Sequence, residues 1–121
     1  MSPAARSINI FGTYLVVVGI VLLAAPNLLL LLFRLPLTTE VWLRVVGMLA
    51  AFLGIYYRVA AAADVTQFFL ATVLLRASVP VFFLAFVLAG WVEWPLLLFG
   101  VIDAAGAAWT WKALSSRRVT G

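Results

Sequence analysis

Long apolar runs separated by short polar segments dominate the pattern along the chain. A transmembrane helix needs roughly 20 mostly apolar residues. Runs close to that length occur at residues 8–25, 41–61, 65–89 and 94–114. The pattern predicts an all-α, polytopic integral membrane protein: a four-helix transmembrane bundle that forms a single transmembrane domain over residues 1–121.

Pro26 ends the first run. Proline suits the first position of a helix but breaks a helix from inside, because it has no N–H to donate. We therefore expect a break near Ala25, followed by a short interfacial segment over residues 27–33. Two alternatives stay open: one tilted helix that continues to Phe33, and a signal peptide, since Arg6 precedes the apolar run.

Polar residues before the later runs resemble helix starts. Thr38 or Thr39 is placed to cap the second span, Asp64 is placed to cap the third, and Pro95 fits the first turn of the fourth. Because the segment at residues 90–93 is short, the third and fourth spans should be antiparallel neighbours.

Composition agrees with lipid as the main solvent. The chain is 67% hydrophobic and 10% charged, with a mean hydropathy of +1.22. A soluble domain is typically about half apolar and about a quarter charged. A soluble fold this small could not hide so much apolar surface, since small domains bury only about 60% of what the unfolded chain exposes.

The distribution of charge predicts the orientation. The net charge of +4 is explained by the positive-inside rule, without a nucleic-acid partner. Both termini are expected in the cytoplasm, with the protein in the inner (cytoplasmic) membrane and the lipid bilayer as its first partner. The cytoplasmic side would carry Arg6, Arg58, Lys112, Arg117 and Arg118, and the other side Arg34 and Arg44. Aromatic belts at the two interfaces are predicted from Trp42, Trp91 and Trp94, and from Tyr14, Tyr56, Tyr57, Trp109 and Trp111.

Cysteine and histidine are both absent. Their absence excludes disulfides, Cys/His metal sites and imidazole acid–base catalysis. The serines have no histidine partner for a Ser–His–Asp arrangement, and the acidic residues lie at different depths. We therefore expect no cofactor, no metal and no catalytic site of a familiar kind.

Small residues mark the helix faces expected to pack. Helices in lipid associate closely where small side chains let their backbones approach. Glycines seven residues apart lie on one stripe of the first span and of the second, and another small stripe occurs in the fourth. The residues predicted to pack are Gly12, Gly19, Gly47, Gly54 and Gly106. The alternative for the fourth span, whose residues 104–108 are all alanine or glycine, is contact with a homo-oligomer or a larger membrane complex.

Two charges interrupt the apolar runs at similar depth. Arg76 and Asp103 lie about 20 Å and about 15 Å from the same end of neighbouring spans, at 1.5 Å per residue. A lone charge at the centre of a membrane helix costs about 2.5–3.5 kcal/mol on insertion scales. We therefore expect the two side chains to pair, and the sequence leaves open whether Asp103 is ionised.

A polar pocket near this pair is a second expectation. Pro80 cannot donate to the carbonyl of Arg76, which frees a backbone acceptor at membrane depth. Arg44 either snorkels outward or adds a second cation. The residues predicted to form a ligand-binding or buried polar site are Arg76, Asp103, Arg44, Thr72, Ser78 and Thr110. The alternative is that the pair only fixes helix register.

The chain resembles small four-helix bacterial membrane proteins of the DoxX-like kind. The resemblance lies in its size, in its four predicted helices, and in the segments "LRVVG" at residues 43–47 and "LFGVIDAAGAAWT" at residues 98–110. That resemblance implies either a family with no assigned activity or an accessory subunit of a respiratory or other membrane enzyme, and it assigns no site residue.

Three functions follow from the residues. The leading hypothesis is a non-enzymatic accessory or scaffold protein, or an amphipathic-ligand-binding bundle, with a buried Arg76–Asp103 pair. One alternative is a small proton-coupled transporter that uses Asp103. The other is a membrane enzyme acting on a lipid-like substrate.

Overall fold

The computed structural model describes residues 1–120, with side chains for residues 1–116. Five α-helices account for most of this part, and it contains no strand, so the all-α class is confirmed. The helices are α1 (Pro3–Ala24), α2 (Pro26–Leu32), α3 (Trp42–Ala62), α4 (Thr66–Leu88) and α5 (Leu97–Thr120), with one turn of 3₁₀ helix at Trp94–Leu96 before α5.

Three of the helices, α1, α3 and α4, are long and apolar enough to cross a membrane. Their large apolar side chains point outward to an extent that water would penalise. Leu74 and Val81 on α4, for example, are 72% and 68% exposed. This surface is typical of a membrane protein.

Helix α1 begins five residues earlier than the hydropathy pattern predicts. The hydroxyl of Ser2 accepts a hydrogen bond from the N–H of Ala5 at 3.1 Å, and Pro3 takes the first helical position. This N-cap and its proline start the helix before the apolar run begins. At the other end of the chain, α5 continues to Thr120 instead of ending near residue 114.

The predicted side-chain caps of the next two helices are wrong. The N-cap residues are Val41 for α3 and Val65 for α4, and neither helix has a side-chain cap. The hydroxyl of Thr38 accepts from the N–H of Glu40 within its own turn. Asp64 adopts a left-handed φ of 52° and accepts from the hydroxyl of Ser2 at 2.9 Å, which ties the α3–α4 turn to the start of α1.

The break expected at Pro26 is present, so a single continuous helix to Phe33 is excluded. Helix α1 ends at Ala24 and Pro26 opens α2. A helix end leaves its last carbonyls without intrahelical partners. The guanidinium of Arg44 donates to the carbonyls of Leu23 and Ala24 and satisfies both.

The Arg44→Met substitution is expected to loosen this junction. Losing hydrogen bonds from a charged donor costs about 1 kcal/mol or more when the acceptors stay in place. Amide hydrogen exchange should therefore rise through α2 and the last turn of α1, with little change elsewhere. Arg6→Met, an exposed site on α1, is the control. Unchanged exchange in α2 would mean that Arg44 does not hold the junction.

The bundle is built from two helix pairs. In the first pair, α1 and α3 meet backbone to backbone: a Cβ added at Gly12 would lie 2.7 Å from the carbonyl oxygen of Gly54, and one at Gly47 would lie 2.7 Å from that of Gly19. In the second pair, a Cβ at Gly100 on α5 would lie 3.0 Å from Cα of Pro80 on α4. Contacts between α1 and α5 join the pairs. The backbones of the consecutive helices α3 and α4 stay apart, and their side chains meet at the rings of Tyr57 and Phe68, whose centroids are 5.4 Å apart.

Candidate ligand-binding site

Arg76 is the buried charge around which the site is built. It lies on α4 and is 2% exposed. Thr72 lies four residues earlier, so the two side chains share one face of the helix. The Nε of Arg76 donates to the carbonyl oxygen of Thr72 at 3.3 Å, and Nη2 donates to the hydroxyls of Thr72 at 3.1 Å and Thr110 at 2.9 Å. The guanidinium is thus held between α4 and α5.

A chain of buried hydroxyls fixes the direction of these hydrogen bonds. The hydroxyl of Ser7 donates to the carbonyl oxygen of Ala4 at 2.7 Å. A hydroxyl has one proton to give, so Thr110 must donate in the contact of 2.7 Å between the Thr110 and Ser7 hydroxyls. The oxygen of Thr110 is therefore an acceptor toward Arg76, and the chain ends on a backbone carbonyl of α1.

Two aromatic rings lie close to the guanidinium of Arg76. The central carbon of the Arg76 guanidinium lies 4.6 Å from the ring centroid of Phe11 and 5.9 Å from that of Tyr57. Both distances allow cation–π attraction, which is strongest away from water. Tyr57 is buried. The sequence predicted instead that Tyr57 would lie in an aromatic belt at the membrane interface, because it is near a helix end.

Sequence reasoning missed Ser7, Phe11 and Tyr57 as parts of this site. Ser7 and Phe11 are four residues apart, a spacing that puts them on one face of α1. That spacing was the available signal, although it does not say that the face meets Arg76.

One nitrogen of Arg76 has no hydrogen-bond partner among the described residues. Arginine offers five N–H donors, and the contacts above use those on Nε and Nη2. Nη1 is buried and unpaired. It lies against α5 at Gly106, where an added Cβ would come 2.9 Å from Nη1 and 2.8 Å from the ring of Phe11. A larger residue at this position of α5 would require the guanidinium and the ring of Phe11 to shift.

A cavity of about 250 Å³ is lined by Arg76 and lies between side chains of α1, α3, α4 and α5. We call it the arginine cavity. Its polar wall is formed by Thr72, Arg76 and Asp103, with the ring of Tyr57 close by. The remaining wall is apolar and comes from Phe11, Leu15, Leu53, Phe68, Ala71, Leu75 and Val79.

The direct ion pair expected between Arg76 and Asp103 is not formed among the described side chains. The guanidinium is bound by hydroxyls and by a carbonyl, and its free nitrogen Nη1 makes no hydrogen bond to the carboxylate. Asp103 is half-buried, lines the same cavity, and is close enough for the two charges to interact. The structure therefore brings the two residues to one site with open space beside them.

A second cavity, of about 290 Å³, lies in the half of the bundle nearer α2. We call it the leucine cavity. Leu15 and Asp103 line both cavities and therefore form a wall that the two share. Its other walls are almost wholly apolar and come from Tyr14, Val18, Leu22, Leu29, Leu30, Leu35, Leu43, Val46, Phe83, Leu96 and Phe99.

The remaining predicted site residues divide into two groups. Thr72 and Thr110 bind Arg76, as described. Arg44 and Ser78 are not brought to the cavity, because backbone carbonyls elsewhere accept their protons: Arg44 binds the end of α1, and the hydroxyl of Ser78 donates to the carbonyl of Leu75 on its own helix at 2.6 Å.

Comparison with known proteins gives no precedent for this site. No family model, no curated protein and no solved structure matches the chain. Within the described residues, no group of three acidic, histidine or cysteine side chains could hold a metal ion. The function is therefore argued from the two cavities and the residues that line them.

Proposed function

We propose that α5 crosses the membrane with α1, α3 and α4, so that the protein is a four-helix transmembrane bundle of the cytoplasmic membrane. In support, the 24 residues of α5 span about 36 Å at 1.5 Å per residue, more than the roughly 30 Å of a hydrocarbon core. It also packs along α4, which is itself long and apolar enough to span.

We propose further that both termini are cytoplasmic. Arg6, Arg58 and Lys112 fall at the end of the bundle that holds the start of α1, and Arg34 and Arg44 fall at the other end. An excess of cations marks the cytoplasmic side. Arg117 and Arg118 are also among the cations that the sequence predicts on the cytoplasmic side, but their side chains lie outside the described residues.

We propose that the protein binds an amphipathic ligand inside the bilayer, with the polar head of the ligand in the arginine cavity. The observation that carries this proposal is a cavity whose wall brings Arg76 and Asp103 together among apolar side chains. Charged groups stabilise a polar head at membrane depth, and the apolar wall stabilises a hydrocarbon chain.

The separation of the α3 and α4 backbones supports the same proposal. Amphiphiles dissolve in the bilayer, so a site that receives them benefits from a lateral opening. The arginine cavity is separated from the lipid by apolar side chains of α3 and α4 and not by closely packed backbone. A ligand could enter there without passing through water.

Native mass spectrometry from a mild detergent tests this function. The wild-type protein should retain one class of amphiphile, and Arg76→Met should lose it, because methionine fills similar space without donating. Replacing a buried charge by an apolar side chain is often tolerated by the fold. The Arg6→Met variant is the control for loss of one positive charge. Equal retention of ordinary bulk lipid by all three proteins would contradict the proposal.

A second function, proton-coupled transport, is favoured by the position of Asp103. Asp103 lines the arginine cavity, in the half of the bundle nearer the termini, and the leucine cavity in the opposite half. A carboxyl group between two such cavities could carry a proton from one to the other. In proteoliposomes, a flux that depends on a pH gradient should then vanish in Asp103→Asn. A flux that persists in that variant, if it folds, would rule out this role.

The other hypotheses from the sequence stay predictions. They are membership of the DoxX-like group, an accessory or scaffold role in a larger membrane complex, a homo-oligomer, and an enzyme acting on a lipid-like substrate. Ala105 and Ala108 on α5 are exposed and offer the small-residue face on which such a complex would pack.

A further inference from the structure

We infer that the protein binds one anionic phospholipid at its cytoplasmic end, with the phosphate of the lipid held by Arg58 and an acyl chain lying along α1 and α3. The site is an open groove between these two helices, with a volume of about 530 Å³. We call it the α1–α3 groove. It shares no lining residue with the arginine cavity, so this inference goes beyond the ligand proposed for that cavity.

The lining of the groove changes from polar to apolar along the helices. Its residues are Met1, Asn9, Val16, Ile55, Arg58, Val59 and Ala62. Met1 and Ala62 lie at the end of the bundle where α1 begins and α3 ends. Val16 lies about 10 Å deeper than Asn9, at 1.5 Å per residue. A phospholipid has the same order, since its polar head lies at the membrane surface and its apolar chains lie below.

The guanidinium of Arg58 is positioned in this groove by α1. A Cβ added at Gly12 would lie 3.1 Å from Cγ of Arg58, so the aliphatic stem of the arginine packs on the bare backbone of α1. Nε of Arg58 donates to Oδ1 of Asn9 at 3.3 Å, and both side chains line the groove. The stem therefore covers the helix contact while the charged group stays near the head-group region.

The remaining donors of Arg58 suit a phosphate. The hydrogen bond to Asn9 uses Nε, and the four N–H groups of Nη1 and Nη2 donate to no described residue. Arg58 is also exposed, so these donors are accessible. Arginine binds phosphate through two parallel N–H···O bonds. Among the described residues that line the groove, none is acidic, so an anion meets no carboxylate in the lining.

The membrane supplies a matching anion on this side. In the proposed orientation the groove faces the cytoplasmic leaflet, which carries anionic lipids, and basic pockets between helices on that side bind anionic head groups. A soluble anion would contact Arg58 but would leave the apolar lining of Val16, Ile55 and Val59 uncovered. The charge and the apolar lining together favour a phospholipid over free phosphate.

A titration with matched phospholipids tests the head group. The delipidated protein in a non-ionic detergent is titrated with the dioleoyl forms of phosphatidylglycerol, phosphatidylethanolamine and phosphatidylcholine, which share their chains and differ in net charge. Binding is read by native mass spectrometry. We expect phosphatidylglycerol to bind at least about tenfold more tightly than the other two, because no amine in its head balances the phosphate. Glycerol 3-phosphate at the same concentrations should not displace it.

Three substitutions separate binding by Arg58 from a general attraction of charge. Arg58→Gln should remove the preference for phosphatidylglycerol. Asn9→Asp keeps the arginine but places a carboxylate beside Nε, so it should also remove the preference. Arg6→Gln is the matched control, because it removes a cation at the same end of the bundle from an exposed residue outside the groove. This control should bind phosphatidylglycerol as the wild type does. Far-ultraviolet circular dichroism checks that each variant is folded.

The outcomes decide between the lipid and its alternatives. Loss of the preference in Arg58→Gln and in Asn9→Asp, with retention in Arg6→Gln, supports the inference. If the wild type binds the three phospholipids equally, or if Arg58→Gln and Arg6→Gln lower the preference by the same factor, no anionic lipid is bound specifically in the groove. If glycerol 3-phosphate displaces phosphatidylglycerol, the groove binds a soluble anion and the lipid assignment is overturned.

Discussion

The Gly19→Val substitution is expected to force α1 and α3 apart and to destabilise the bundle more than any other single change proposed. A Cβ at Gly19 would meet backbone atoms of α3, the nitrogen of Ala51 and the carbonyl oxygen of Gly47, the latter at 2.5 Å. Backbone cannot rotate away as a flexible side chain can. Overpacking usually costs about 1–3 kcal/mol, and we expect the upper end of that range or more.

The measurement is the midpoint of unfolding by sodium dodecyl sulfate in mixed micelles, followed by tryptophan fluorescence. Gly19→Ala should be destabilised as well, because the first added carbon already makes the clash. Ala77→Val, at an exposed position of α4, is the control for added bulk on a lipid-facing surface. A midpoint for Gly19→Val close to that of Ala77→Val would show that the close contact between α1 and α3 does not hold the bundle.

The Thr110→Val substitution should reveal how Arg76 is kept in lipid. Thr110 is fully buried, accepts from Nη2 of Arg76 and donates to Ser7. Valine has a similar shape but no hydroxyl, so it leaves a donor of Arg76 unpaired. Stranding a buried donor costs about 1–3 kcal/mol, more for a charged group, and the unfolding midpoint should fall accordingly.

A double-mutant cycle separates this effect from a general loss of packing. In the Arg76→Met background, no guanidinium remains to be stranded, so the cost of Thr110→Val should fall by about half or more. The remainder reports the hydrogen bond between Thr110 and Ser7. An equal cost in both backgrounds would mean that Thr110 and Arg76 do not interact.

The helices and the glycine faces could be predicted from the sequence because they depend on periodic, local patterns. The apolar runs placed the helices, and Pro26 placed the break, since a missing N–H acts within one turn. The spacing of Gly12, Gly19, Gly47 and Gly54 identified the residues that lie in the α1–α3 contact. Each of these features is determined by residues close to one another along the chain.

The partners of the long polar side chains could not be predicted in the same way. Helical spacing placed Arg76 near Asp103 in depth, but it could not say that the hydroxyls of Thr72 and Thr110 would reach the guanidinium first. Nor could it show that Arg44 would turn to the carbonyls left free at the end of α1. An arginine side chain can reach several acceptors. Which acceptor it binds depends on the rotation of each helix about its own axis.

An arginine that is held by hydroxyls and aromatic rings leaves a nearby carboxyl group unbonded, whereas an arginine in a direct ion pair does not. A direct ion pair would use both groups and close the cavity. Here the guanidinium is positioned by Thr72 and Thr110 while Nη1 and Asp103 stay free of each other. This division leaves Arg76 and Asp103 in the wall of one cavity without a direct bond between them, which is the physical basis of the proposed ligand site.

The most direct test of this central claim is a crystal structure of the protein grown in bicelles, in which the contents of the arginine cavity can be seen. We predict ordered density for a polar head group in the arginine cavity, within about 3 Å of a polar atom of Arg76 or Asp103. A carboxylate of Asp103 bonded directly to Nη1, with the cavity closed by side chains, would contradict the claim.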